Sequence, residues 1–281
     1  SSHCRQAQKP HFSRRRSHRS TGAGACWMGG CTSRGAEAPD DKFVVKYFTG
    51  DTIGEGKYST VASCMLRKDL HNVERDQRSF AVKMIEKSTT SPAMIANEVQ
   101  IMQKLDHRCV VRLHEVIIGK LFAWIVMDLY EGGNVVDAFQ RHLLERGRIK
   151  SMQLMNVSYQ MGASIQYLHS KRYIHRAFKA SNFVIDREDL THPACRVALI
   201  DFGTACSATP DQRFREPAGS PPTVACMSPE CYDRDYGMKV DVWSLGVLMY
   251  GLVTTRFPFK DENEVRTKEV HLPESVHPEC A

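Results

Sequence analysis

The chain has 281 residues, of which 42% are hydrophobic and 25% charged, with a formal net charge of +6. That length buries a substantial core in one large domain or two smaller ones. Its longest apolar run, 240–253, is interrupted by Asp241 and Ser244 and falls short of the ~20 residues a membrane-spanning helix needs, so a buried soluble helix is the better reading of that run. Ten cysteines are scattered without a paired framework, which excludes a disulfide scaffold and points to a reducing, intracellular compartment, cytoplasmic or nuclear.

Residues 1–42 hold eight Lys/Arg against three acidic residues, so a charge of +5 sits there and about +1 in the remainder. The segment is rich in Ser, Arg and Gly and poor in large apolar side chains. It is expected to be a disordered basic tail, because it cannot repay the entropy of ordering. Contact with nucleic acid or an acidic surface through Arg14, Arg15, Arg16 and Arg19 is one reading; a solvated tail is the plainer one. Cys26 and Cys31, with His3, Cys4 and His11 upstream, match no tight zinc spacing. No signal peptide is evident, and a start at Ser1 leaves the true N-terminus open.

From Phe43 the pattern becomes β-rich. Short β-branched runs at 47–53, 60–65, 79–85, 110–118 and 121–129, bounded by Gly or polar turns, predict a small antiparallel sheet. One helix interrupts them: Ser91 can cap it, Pro92 suits its first turn, and Met94, Ile95, Ile101, Met102 and Leu105 line one face. After Gly132-Gly133 the chain turns mostly helical. Leu154, Val157, Met161, Ile165 and Leu168 recur at helical spacing, and a short hairpin over 182–185 and 196–200 follows. Strands first and helices second predict an α+β fold with two lobes and a cleft between them.

Candidate chemistry falls along this cleft. Gly54 and Gly56, within Ile53-Gly54-Glu55-Gly56-Lys57-Tyr58-Ser59-Thr60-Val61, allow close backbone approach to phosphate between two strands, although an ordinary Gly-rich hairpin explains them too. Lys83 stands in an apolar strand, Phe80-Ala81-Val82-Lys83. Glu98 lies on the apolar side of its helix, where a carboxylate is costly without a cation. A Lys83–Glu98 pair answers both problems. Asp201 ends a strand at Asp201-Phe202-Gly203 and, with Asn182, can supply oxygen ligands to a hard cation.

The order of Gly54/Gly56, Lys83, Glu98, His175-Arg176, Asn182, Asp201-Phe202-Gly203, Ser228-Pro229-Glu230 and Asp241-Val242-Trp243-Ser244-Leu245-Gly246 resembles the eukaryotic protein kinase family from Phe43 to about Phe259. The resemblance implies a bilobal kinase-like fold over 43–281. Its small antiparallel β-rich N-lobe covers 43–130, and its mostly helical C-lobe covers 131–281. It further implies ATP and Mg as cofactors. Ile53, Gly54, Gly56, Val61, Ala81, Lys83, Glu98, Asp128 and Tyr130 would hold the nucleotide, Met127 would guard the pocket, and Asn182 and Asp201 would hold the metal. Lys179 and Thr223 resemble the serine/threonine branch, whose partner is a protein substrate.

Three positions depart from the family pattern. Ala177 stands where the catalytic-loop Asp accepts the substrate proton, and a methyl group can do neither that nor orient a hydroxyl. Pro222 and Cys226 replace a glycine and an aromatic residue on the acceptor side, and Pro222 lacks an amide donor. Only 254–281 follow the last long helix, so the C-lobe is expected to be incomplete. The expected function is therefore a pseudokinase that binds ATP and Mg and docks protein partners. A weakly active serine/threonine kinase and a basic-tail binder that uses the fold as scaffold are the alternatives.

Overall fold

The computed structural model describes residues 41–56, 58–70, 79–216 and 226–272. The basic tail lies outside the described residues except for Asp41 and Lys42, which begin a short helix, α1 (Asp41–Lys46).

Five strands follow: β1 (Tyr47–Glu55), β2 (Ser59–Leu66), β3 (Ser79–Glu86), β4 (Leu113–Ile118) and β5 (Phe122–Asp128). They form one sheet in the order β1-β2-β3-β5-β4, with every neighbouring pair antiparallel. Side-chain alternation gives the sheet two apolar faces. Ala81, Ile85, Ile125 and Met127 join the main core, whereas Phe80, Val82, Trp124 and Val126 form an outer one. The helix α1 covers the outer face, where Phe43 stacks on Tyr47 at 5.2 Å and on Trp124 at 5.4 Å.

The strand expected over 110–118 starts later, at Leu113. The backbone of 109–111 is committed elsewhere: Val111 donates to the Leu199 carbonyl at 3.0 Å, and Leu199 donates to that of Cys109 at 2.9 Å. Within β4 the register slips, with Leu113 opposite Met127 and Glu115 opposite Val126. His114 is the extra residue of a β-bulge.

Helix α2 (Pro92–Lys104) begins as expected, with the Ser91 hydroxyl accepting from the Met94 amide at 3.3 Å and proline in the first turn. It buries Ile95, Glu98, Ile101 and Met102.

The second lobe is helical: α3 (Val135–Arg146), α4 (Ser151–Ser170), α5 (Pro229–Tyr232), α6 (Lys239–Thr254) and α7 (Glu262–Thr267). Two small antiparallel pairs lie among these helices, β6 (Tyr173–Ile174) with β9 (Cys206–Ser207) and β7 (Phe183–Ile185) with β8 (Val197–Leu199). The connection between lobes is pinned to β7, since Gly132 donates to the Ile185 carbonyl and Ile185 donates back to that of Gly133, both at 2.9 Å. A side chain at Gly132 would run into the Arg187 carbonyl, so glycine is required there.

Helix α6 is apolar on every side, yet it buries Val240, Val247, Leu248 and Leu252 on one face while Val242 is 52% exposed. Among the described residues no helix is long and apolar enough to cross a membrane.

Candidate functional site

The β1–β2 hairpin places its glycines at the mouth of the cleft. Gly54 sits opposite Val61, and the Gly56 amide donates to the Ser59 carbonyl at 2.7 Å, closing the turn. Lys57 lies outside the described residues, and Ile53 is exposed. Val61 pairs with Lys83, and Ala81 pairs with Met127, which is buried.

Lys83 is the centre of the site. Its Nζ donates to Glu98 Oε1 at 2.6 Å and to Asp201 Oδ1 at 3.0 Å. The pair with Glu98 therefore forms as the sequence predicts, and Asp201 joins it. Burial alone pulls the lysine pKa down, but the two carboxylates more than offset this and hold it above the ordinary lysine value. Asp201 is affected by burial in the opposite sense, and the charge and hydrogen bond of Lys83 leave its pKa below the ordinary aspartate value.

Asp201 adopts a left-handed backbone, φ 66°, as does Arg176 at φ 64°. Non-glycine residues held this way carry strain that surrounding contacts must sustain. Those contacts are present. Phe202 is fully buried and meets the His175 ring edge-on at 5.3 Å. The Thr204 hydroxyl donates to the His175 carbonyl at 3.0 Å, and Arg176 Nε donates to that of Thr204 at 2.7 Å. From α2, Asn97 donates to the Ala205 carbonyl at 2.8 Å.

Asp241, at the start of α6 and 1% exposed, holds the loop from beneath. Its carboxylate accepts from the amides of His175 at 2.9 Å and Arg176 at 3.0 Å, and lies 3.0 Å from His169 Nε2. Burial keeps the His175 pKa below the ordinary imidazole value despite the nearby carboxylates.

Ala177 is buried, and its carbonyl accepts from Asn182 Nδ2 at 3.0 Å. Lys179 is half-buried beside it, ahead of the 3-10 turn Ala180–Asn182. The Asn182 carbonyl accepts from the Ile200 amide at 2.9 Å, which brings Asn182 alongside the segment that leads from β8 to Asp201. One carboxylate and one amide oxygen suit a hard cation that keeps its remaining positions for water and phosphate. The nearest carboxylate downstream, Asp186, is already engaged: Arg187 donates to both its oxygens at 2.9 Å, and so does the Arg196 amide to one of them.

At the connection between lobes, the Asp128 amide donates to the Arg112 carbonyl at 3.0 Å. Tyr130 is half-buried, and burial pushes its phenol up to about 12. Cys226 is buried, its thiol pushed up to about 11 by desolvation, and its carbonyl accepts from Ser244 Oγ at 3.0 Å. Pro222 and Thr223 lie outside the described residues.

Sequence reasoning placed Asp241 in a motif without a role, and it passed over Thr204 and His114. A lone acid at the start of an apolar helix was the available signal for Asp241, since such a group needs buried donors. Nothing in local spacing marks the other two.

A family model described as protein kinase domain matches residues 47–278. Over 218 residues the chain is 33% identical to Serine/threonine-protein kinase PEPKR2 of Arabidopsis thaliana, an alignment covering 77% of this chain and 42% of that relative. The chain thus spans less than half the length of that relative.

Proposed function

This chain belongs to the protein kinase family, and from that premise we propose that it is a pseudokinase of the serine/threonine type, binding ATP and Mg while transferring phosphate poorly. The observation that carries this reading is a contrast within one cleft. Lys83, Glu98 and Asp201 are joined by contacts of 2.6 and 3.0 Å, while position 177 offers a buried methyl group and no carboxylate.

The residues have distinct roles. Lys83, held by Glu98, orients the α- and β-phosphates, and the hairpin amides around Gly54 and Gly56 cover them. Val61, Ala81 and Met127 bound the base, which takes its hydrogen bonds from the backbone of Asp128 and Tyr130. Asp201 and Asn182 hold magnesium, which neutralises charge on the phosphates when bound. Lys179 faces the acceptor side. There the acceptor hydroxyl finds no base, and a positioned base contributes about 10²- to 10⁴-fold to such a step.

Comparison of the chain with its Ala177→Asp variant tests the proposal. A Mg-ATP-dependent rise in melting temperature is expected in both, with transfer to a generic Ser/Thr peptide only in the variant. Transfer by the unaltered chain at an ordinary kinase rate, abolished by Asp201→Ala, would overturn this reading and establish an active kinase. No melting shift in either would remove the nucleotide site.

A further inference from the structure

We infer that His114 is a positioning residue for adenine recognition, acting through Asp128. This inference rests on the nucleotide reading above and extends it to a residue outside the cleft.

The starting point is a contradiction in Asp128. It belongs to the connection that would read the base, yet its side chain cannot face the cleft. On β5, Met127 points into the main core while Asp128 lies opposite Phe80, a residue of the outer core. Its carboxylate is therefore on the far side of the sheet, and any contact with adenine comes from its backbone. What fixes that backbone is the bulge in β4. One extra residue is inserted opposite Met127 and Val126, and that residue is His114. Bulges re-aim a side chain that regular pairing would send elsewhere. Here the imidazole is aimed at the carboxylate, with Nε2 2.6 Å from Asp128 Oδ1. The ring is braced edge-on against Phe80 at 4.9 Å. Just before that strand, the Arg112 carbonyl accepts from the Asp128 amide at 3.0 Å.

Asp128 is thus gripped at both its amide and its side chain by residues flanking the bulge. With those two points held, the 127–128 peptide and the Cα of Asp128 are fixed in place, which narrows the positions open to the groups offered to the base before the ligand arrives. Pre-organisation of this kind raises affinity by lowering the ordering cost of binding. The grip acts on the base-reading edge alone, because Lys83, Asn182 and Asp201 take no support from His114. It should therefore govern which base is accepted and leave phosphate affinity unchanged.

The test uses the full chain and two substitutions. His114→Ala removes the grip; His114→Gln keeps a side-chain donor. Affinities for adenosine, Mg-ATP, Mg-GTP and Mg-tripolyphosphate are measured calorimetrically, and amide hydrogen exchange at 129–131 is followed in the ligand-free protein. For His114→Ala we expect about tenfold weaker adenosine binding, a smaller ATP-over-GTP preference, unchanged tripolyphosphate binding and faster exchange at 129–131. His114→Gln should restore base affinity to within about twofold. Unchanged adenosine affinity and exchange in His114→Ala would overturn the inference, as would an equal loss of tripolyphosphate binding, which would mean general loosening. If the unaltered chain binds none of the four ligands, the nucleotide reading fails and adenine recognition with it. The exchange measurement would then still report whether His114 holds the connection.

Discussion

The carboxylate of Asp241 sits beneath His175 and accepts both its amide and that of Arg176, at 2.9 and 3.0 Å. A residue 65 positions downstream thereby sets the conformation of the catalytic-type loop, including the left-handed Arg176. Replacing it with alanine strands two buried donors. Each unsatisfied group costs about 1–3 kcal/mol, so Asp241→Ala should lower unfolding stability by about 3 kcal/mol in urea titration. Asp241→Asn, which keeps one acceptor, should cost less. Equal stability of all three proteins would show that the loop is held otherwise.

The Lys83–Glu98 pair is nearly enclosed, with side-chain exposures of 13% and 5%. Lys83→Met leaves Glu98 buried beside an apolar group, a change worth about 3 kcal/mol or more. Adding Glu98→Met should recover most of that loss, because an apolar pair no longer needs a counter-charge. A double variant less stable than either single one in the same urea measurement would contradict this account.

Ser91→Ala removes the acceptor at the start of α2 and should cost about 1 kcal/mol. Because Glu98 rides on that helix, hydrogen exchange in its first two turns should also rise. Unaltered exchange there would mean that packing alone fixes the helix.

Acid sensitivity has a defined contributor in Asp189. Hydrogen bonds from Thr191 and the ion pair with Arg146 lower its pKa from the ordinary 3.8 to about 2. A depressed acid stabilises the fold fully above pH 4, and that contribution disappears as pH falls through about 2. Asp189→Asn should therefore be less stable than the unaltered chain at pH 6, by on the order of 1 kcal/mol after solvent screening. The gap should close by pH 2 in acid titrations followed by circular dichroism. A gap that is constant with pH would assign the effect to packing.

Much of this molecule is legible in its sequence, for reasons that differ by residue. Lys83 and Glu98 each pose a burial problem that the other solves, so their pairing is readable before any fold is known. Ser91 and Pro92 mark a helix start by local chemistry alone. Asp201 is different: its bond to Lys83 spans 118 residues, and no local pattern encodes it. His114 is hidden further, because a one-residue bulge reverses the face that strand alternation would assign. The boundary near 42 was set by composition, whereas the first described helix is held by tertiary contacts, Phe43 stacked on Trp124 and Lys46 paired with Glu115 at 2.7 Å. The strand expected from Val110 shortened because its backbone bonds go to β8, a competition that propensity cannot register.

The shared grip of Lys83 on Glu98 and Asp201 has one more consequence. The ammonium is an internal counter-ion: it already balances the carboxylate at Asp201 that a metal would use on the proposed reading, so bare magnesium would meet competition there. On the proposed reading a nucleotide would change the contest, since its phosphates would compete with Asp201 for the lysine. Metal and nucleotide should consequently enter as a pair, each weak without the other. Such cooperativity would be written into the cleft by one lysine reaching two acids.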